Sequence, residues 1–244
     1  MKKLFMILTV VGLMVFSAQY AIAQEAAATE QAIEKPIHQE LKIKFIEGGA
    51  GFMGVILLSL VLGLAIAIER ILYLNLATVN TDKLLRKVED ALAEGGVEAA
   101  KDVCRNTRGP VASIFYQGLS RMNEGIEVVE KTVVSYGSVQ MSQLEKGLSW
   151  IQLFIAVAPM LGFLGTVIGM IEAFDDIAIA GTISPNIVAS GMKVALITTV
   201  GGLVVAIILQ IFYNYLLSKI DSLVIAMEDT SISLIDMLVK HNRK

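Results

Sequence analysis

Three threonines lie inside apolar runs of the chain, where hydroxyl groups can line a polar path or contact a partner helix. Thr166 belongs to one run, and Thr198 and Thr199 belong to the next. Small residues recur around them at helical spacing. A small, weakly polar helix face suits close helix packing, a polar path or a grip on a partner helix; the residues alone favour packing and leave the other uses open. The small residues are Pro159, Gly162, Gly165, Gly169, Gly191, Ala195 and Gly202.

Ionisable side chains are scarce in the same runs, which limits the chemistry available there. No Asp or Glu lies at the centre of either run, and Lys193 lies early in the second. A proton path made by this chain alone would therefore lack a carboxylate in mid-membrane. The chain also has no His/Cys set with metal-ligand spacing and no nucleophile motif. We predict no enzyme activity, no catalytic residue, no metal and no cofactor.

The elements that carry these residues are predicted to be membrane-spanning helices. The chain is 55% hydrophobic, and the excess lies in three long runs. About 20 apolar residues cross a bilayer core, so we predict spans at 51–72, 150–171 and 187–211. Apolar stripes continue before the second span and after the third. The fold class is therefore all-α: a polytopic membrane protein with three transmembrane helices, two of them extended into long cytoplasmic helices.

Charge and the start of the chain predict the orientation. Lys2 and Lys3, an apolar run and Ala21-Ile22-Ala23 form a signal peptide with a cleavage site before Gln24. The connection after the second span has no Lys or Arg, whereas the segments after the first and third spans carry many. The remaining predicted segments are a signal peptide at 1–23, a periplasmic arm at 24–50, a cytoplasmic helical domain at 73–149, a periplasmic loop at 172–186 and a cytoplasmic C-terminal helix at 212–244.

Local signals predict how the segment between the first two spans is organised. Thr81 is expected to cap a helix that ends at Gly95-Gly96, and Pro110 is expected to start another. Cys104 is the single cysteine, and we interpret it as a small residue in helix packing. Two apolar stripes, one before the second span and one after the third, are expected to pack on each other and on neighbouring subunits: Val129, Val133, Tyr136, Val139 and Leu144, and Leu216, Ile220, Leu223, Met227, Leu234 and Leu238.

Two stretches of the chain, together with Tyr213-Asn214-Tyr215, resemble the MotA/TolQ/ExbB family of proton-channel subunits, with the ExbB branch the most similar. The stretches are APMLGFLGTVIGMI at 158–171 and GMKVALITTVGGL at 191–203. The resemblance implies a homopentamer in the bacterial inner membrane, with the second and third spans around a central pore. Thr166 and Thr199 match the family's pore threonines, with Thr198 as their neighbour, and the small faces then also face a partner.

The resemblance also implies partners and a mechanism. The pore would hold an ExbD-like single-span protein with a membrane aspartate, and its motion would pass to a TonB-like protein that energises outer-membrane uptake. Enterobacterial ExbB-type chains carry a glutamate where this chain has Val194, so the partner's aspartate becomes the expected titrating group. A net charge of -3 gives no indication of a nucleic-acid partner. A TolQ-like role in envelope maintenance, a motility stator and a non-conducting scaffold in the bilayer remain alternatives.

Overall fold

The computed structural model describes residues 37–242, and all its regular elements in that range are helices. The predicted signal peptide at 1–23 lies outside the described residues. Helices α2 to α7 lie within one compact unit, Ile46–Lys244. The helices are α1 (Ile37–Glu47), α2 (Ala50–Ala77), α3 (Thr81–Arg105), α4 (Pro110–Ser120), α5 (Ile126–Glu145), α6 (Leu148–Ala180) and α7 (Pro185–Asn242), with a 3-10 turn at Met122–Glu124.

Three helical stretches are long and apolar enough to cross a membrane by length and composition. They contain α2, α6 and the first half of α7, as the apolar runs predict. Helix α7 has 58 residues, which at 1.5 Å per residue is about 87 Å, against a bilayer core of about 30 Å. The predicted all-α architecture with three membrane helices and long extensions is therefore confirmed.

The extension of the second span is bent rather than straight. Helix α5 ends at Glu145, and Gly147 takes a left-handed conformation (φ 89°) before α6 begins. The Arg70 guanidinium lies at this bend, pairs with Glu69 at 2.7 Å and donates a 3.5 Å hydrogen bond to the Gln143 carbonyl. That carbonyl belongs to the last turn of α5, where backbone acceptors lack helical partners. This hydrogen bond connects the first span to the helix that leads into the second span.

Two of three predicted boundaries differ from the structure. Asn80, not Thr81, caps α3, because its side chain accepts a hydrogen bond from the Lys83 N–H at 2.9 Å. The predicted helix end at Gly95-Gly96 is confirmed, because the backbone at Gly96 (φ 69°, ψ -163°) is not helical and divides α3 into two helical stretches at a kink. Helix α6 continues to Ala180, so the connection to α7 is four residues long, not the predicted 172–186. No Pro or Gly interrupts that helix between Met170 and Ala180.

Helices α3, α4, α5 and the second half of α7 share a hydrophobic core with the adjoining ends of α2 and α6. Leu216, Ile220 and the other four members of the predicted α7 stripe are buried. In the α5 stripe, Val129, Val133 and Leu144 are buried, whereas Val139 is 48% exposed within this chain. Packing of Val139 on a neighbouring subunit stays a prediction.

Cys104 lies in this core, outside the three spans, and is 2% exposed. Burial raises the pKa of the Cys104 thiol to about 12. Because the thiolate is the reactive form, we expect maleimide to label Cys104 very slowly in native membranes and rapidly after denaturation. A Cys104→Ser, Ser120→Cys variant moves the thiol to an exposed site and serves as the control. Equal labelling rates for the two folded proteins would contradict this packing.

Candidate functional site

Helices α6 and α7 run antiparallel, and their backbones approach closely along a row of small residues, here called the seam. A Cβ atom on Gly165 would lie 2.6 Å from Thr198 Oγ1, and one on Gly162 would lie 2.9 Å from the Thr198 carbonyl oxygen. Towards the α6–α7 connection, a Cβ atom on Gly169 would lie 3.2 Å from the Gly191 carbonyl oxygen. The seam therefore has room for little more than hydrogen atoms at these glycines.

The other half of the seam is equally close. A Cβ atom on Gly202 would lie 2.5 Å from the Ala158 carbonyl oxygen and 3.2 Å from the Gly162 Cα atom. Both are backbone atoms, which cannot rotate away as a side chain can. Ala195 and Ala158 are also buried. Close approach of this kind depends on small residues and favours tight packing in a bilayer.

Helix α2 covers one side of the seam. A Cβ atom on Gly63 would lie 2.7 Å from the Leu209 side chain, and one on Gly201 would lie 3.0 Å from the Met53 methyl group. Phe154 and Leu161 of α6 pack on the same side, against a buried cluster that includes Ile56 and Leu209. Within the described chain, the opposite side of the seam has no helix packed across it. We call it the open side.

Thr166 and Thr199 lie on the open side. Each follows a seam residue by one position: Thr166 follows Gly165, and Thr199 follows Thr198. Consecutive residues of a helix point in directions about 100° apart. Because α6 and α7 are antiparallel, this rotation places both threonines on the same side of the seam, away from α2. Both are partly exposed. The two helices thus present one threonine each to the same uncovered side.

The hydroxyls of these two threonines differ in how strongly they are hydrogen-bonded within the chain. Thr199 Oγ1 lies 3.4 Å from both the Gly162 and the Ala195 carbonyl oxygens, so its single O–H is shared between these two acceptors. Thr166 Oγ1 donates to the Phe163 carbonyl at 2.6 Å. A hydroxyl offers one donor and two acceptor sites, so both oxygens retain acceptor capacity. The long bonds of Thr199 exchange readily for a stronger bond to a carboxylate.

Thr198 differs from its neighbour. It is 1% exposed and donates a 2.8 Å hydrogen bond to the Ala195 carbonyl within its own helix. Its side chain fills the space beside Gly165. Pro159, which was predicted together with the small residues, is partly exposed. It comes directly after the buried Ala158 in the sequence and lies on the open side. Thr198 therefore lies behind the threonine pair, whereas Pro159 lies beside it.

Lys193, the one charged residue in 187–211, is paired. Its Nζ atom lies 2.7 Å from Glu47 Oε1, a residue 146 positions earlier in the sequence. Beside the pair, a Cβ atom on Gly48 would lie 2.8 Å from the Ile197 side chain. The spacing of residues along the chain did not identify Glu47 as its partner. The ion pair connects the segment before α2 to the early part of α7, on the α2 side of the seam.

We expect Lys193→Glu to destabilise the assembled protein and a Lys193→Glu, Glu47→Lys exchange to restore most of the loss. The side chains are 51% and 29% exposed, so the pair is worth about 1 kcal/mol at most. Thermal melting of the purified complex at low and high salt measures the effect. An exchange variant as unstable as the single variant would contradict a pairwise interaction.

Gln152 is an open-side residue that sequence reasoning missed. It is exposed and follows the buried Ile151, as Thr166 follows Gly165. Gln152, Pro159 and Thr166 recur every seven residues, and this period was available in the sequence. This seven-residue spacing indicates a shared side of the seam only when the buried side of α6 is known. From the sequence alone, an amide near Trp150 also suits a lipid interface.

Comparison with known proteins places the seam inside a recognised family. Residues 106–229, just over half of the chain, match the model of the MotA/TolQ/ExbB proton channel family. This range includes α6 and the membrane part of α7, and it leaves out α2.

Individual relatives agree with the family match. An ExbB homolog of Methanothermobacter thermautotrophicus is 35% identical over 160 residues, which cover 65% of this chain and 57% of the relative. An ExbB-like protein of Synechocystis sp. is 29% identical over 72% of this chain and 70% of its own length. The biopolymer transport protein ExbB of Helicobacter pylori is 39% identical over 33% of this chain and 55% of its own length. The chain thus spans little more than half of two of these relatives.

Proposed function

This chain belongs to the MotA/TolQ/ExbB proton channel family, and from that premise we propose that it is the proton-channel subunit of an inner-membrane motor. The motor is of the ExbB/ExbD type and uses the proton motive force to energise TonB-dependent transport across the outer membrane. The names of the relatives, ExbB homolog and biopolymer transport protein, support this branch of the family.

The observation that carries the proposal is the threonine pair on the open side of the seam. Thr166 and Thr199 come from two different spans and face the same uncovered side. In a ring of subunits, that side faces either a neighbouring copy or the central axis. Hydroxyl groups facing lipid would lose hydrogen bonds to water without replacing them, whereas a central pore supplies water and a partner.

The titrating group in this proposal belongs to the partner. The spans at 150–171 and 187–211 contain no carboxylate. A single-span, ExbD-like protein in the pore would bring an aspartate to the level of the threonines. An ionised aspartate in mid-membrane costs about 2.5–3.5 kcal/mol, and hydroxyl donors lower that cost.

The driving energy follows from the membrane potential. A proton that crosses releases about 2.3 kcal/mol per 100 mV. Protonation removes the charge of the partner's aspartate and weakens its hydrogen bonds to the threonine hydroxyls, so the partner can move relative to the ring. Deprotonation on the other side of the membrane restores the charge and these hydrogen bonds. A TonB-like protein would receive the resulting motion.

The proposed orientation places the mature N-terminus in the periplasm and the C-terminus in the cytoplasm. The acidic side chains Glu172, Asp175 and Asp176 are exposed on the last turns of α6 and would face the periplasm. The basic residues of α3 to α5 would face the cytoplasm, in agreement with the positive-inside rule. Five copies of the chain would surround the partner, with Thr166 and Thr199 lining the pore and Thr198 packed behind them.

Native mass spectrometry of the complex, extracted gently from its own membranes, tests the architecture. We expect five copies of this chain with a smaller single-span protein. Vesicles that contain the complex should also conduct protons, and removal of the small protein should change that conductance. A ring without such a protein, or vesicles that conduct no protons, would favour the scaffold alternative over the motor.

A further inference from the structure

Two amide side chains lie on the open side, farther along the helices from the threonine pair. Gln152 belongs to α6 and Gln210 to α7, and both are exposed. Gln210 comes directly after the buried Leu209, as Thr199 comes directly after the buried Thr198. Gln210 therefore lies on the same side of the seam as Thr199. Each helix therefore presents a threonine and a glutamine on one side of the seam.

The two glutamines lie at nearly the same level. Gly202 contacts the backbone at Ala158, and the helices are antiparallel. Seven residues further along each helix, about two turns, Leu209 comes opposite Ile151. Gln152 and Gln210 each follow one of these two buried residues, so the amides lie within about one turn of each other.

The two amides are polar side chains in largely apolar surroundings. Gln210 is flanked by Leu209 and Ile211, and α7 reaches its next charged residue at Lys219. The Gln210 Nε2 group donates a 3.0 Å hydrogen bond to Asn214 Oδ1, one turn further along. The polar side therefore continues from Gln210 towards the end of the span, while the adjacent Ile211 and Leu153 are exposed apolar residues on other faces.

We infer that Gln152 and Gln210 line the inner leg of the proton path and hold the water that connects the threonine pair to the cytoplasm. The inference rests on the proposed function and adds two positioning residues to it. Each amide supplies two N–H donors and one acceptor, enough to order water without changing its own protonation. The proton travels on water, and the amides are chemically unchanged.

Cysteine accessibility tests the facing in the intact complex. In a Cys104→Ser background, we expect Gln152→Cys and Gln210→Cys to react with a cationic, membrane-impermeant methanethiosulfonate added from the cytoplasmic side. The matched controls are Leu153→Cys and Ile211→Cys, which lie one residue away on exposed apolar faces. Equal labelling of the glutamine and control positions would overturn the inference, because it would place the amides at the lipid interface.

Proton flux into vesicles tests the role. We expect the Gln152→Leu, Gln210→Leu double variant to conduct about tenfold more slowly, and Gln152→Asn, Gln210→Asn to retain most of the flux, because hydrogen-bonding groups are kept. Wild-type flux in the double leucine variant of an assembled, conducting complex would overturn this inference alone. A wild-type complex that conducts nothing would overturn the proposed function and the inference with it.

Discussion

Replacement of both Thr166 and Thr199 with valine should abolish energised uptake and leave the complex assembled. Valine matches threonine in shape, so the seam beside Gly162 and Gly165 keeps its packing. What is lost is the pair of hydroxyls on the open side, where Thr199 now makes only long bonds of 3.4 Å. A hydrogen bond to a charged group is worth about 1.5–3 kcal/mol, and each 1.4 kcal/mol of barrier is about tenfold in rate. We therefore expect proton flux to fall by at least about tenfold.

Two matched variants sharpen this experiment. Thr166→Ser with Thr199→Ser keeps both hydroxyls and should keep most of the flux. Thr198→Val removes a hydroxyl that is buried and bonded to Ala195 at 2.8 Å, so it should alter stability more than flux. Native mass spectrometry confirms assembly for each variant before uptake is measured. Normal uptake in the assembled double valine variant would refute the threonine path.

Gly202→Ala should lower the amount of assembled complex. The new Cβ atom would lie 2.5 Å from the Ala158 carbonyl oxygen, a backbone atom of the facing helix. The two helices must separate to accommodate it, which opens the seam on both sides of Thr198. Overpacking of this kind costs about 1–3 kcal/mol, and in a ring the cost recurs in every subunit. Melting temperature and yield of the intact complex measure the effect.

Gly54→Ala is the matched control for that substitution. Gly54 also lies within a predicted span, in α2, and a Cβ atom there meets nothing within 4 Å. Since alanine favours a helix over glycine by about 1 kcal/mol, Gly54→Ala should be neutral or stabilising. If both variants melted alike, close approach at Gly202 would not govern the stability of the seam.

Much of the architecture could be read from the residues in order. Three apolar runs longer than a bilayer core require three helices, because backbone groups in lipid must bond within their own segment. The stripe from Leu216 to Leu238 predicted the buried side of α7 correctly. The extension of α6 to Ala180 was missed, because acidic residues were interpreted as a loop although nothing there breaks a helix.

The sequence by itself determined the spans, the small residues and the supply of hydroxyls, since these depend on composition and on spacing along one helix. Only the tertiary structure decided which side of each helix is covered. Thr198 and Thr199 are neighbours in the chain, yet one is buried against Gly165 and the other faces the open side. The Lys193–Glu47 pair joins residues 146 positions apart. Such relations depend on how helices pack against each other, and a one-dimensional period does not specify that packing.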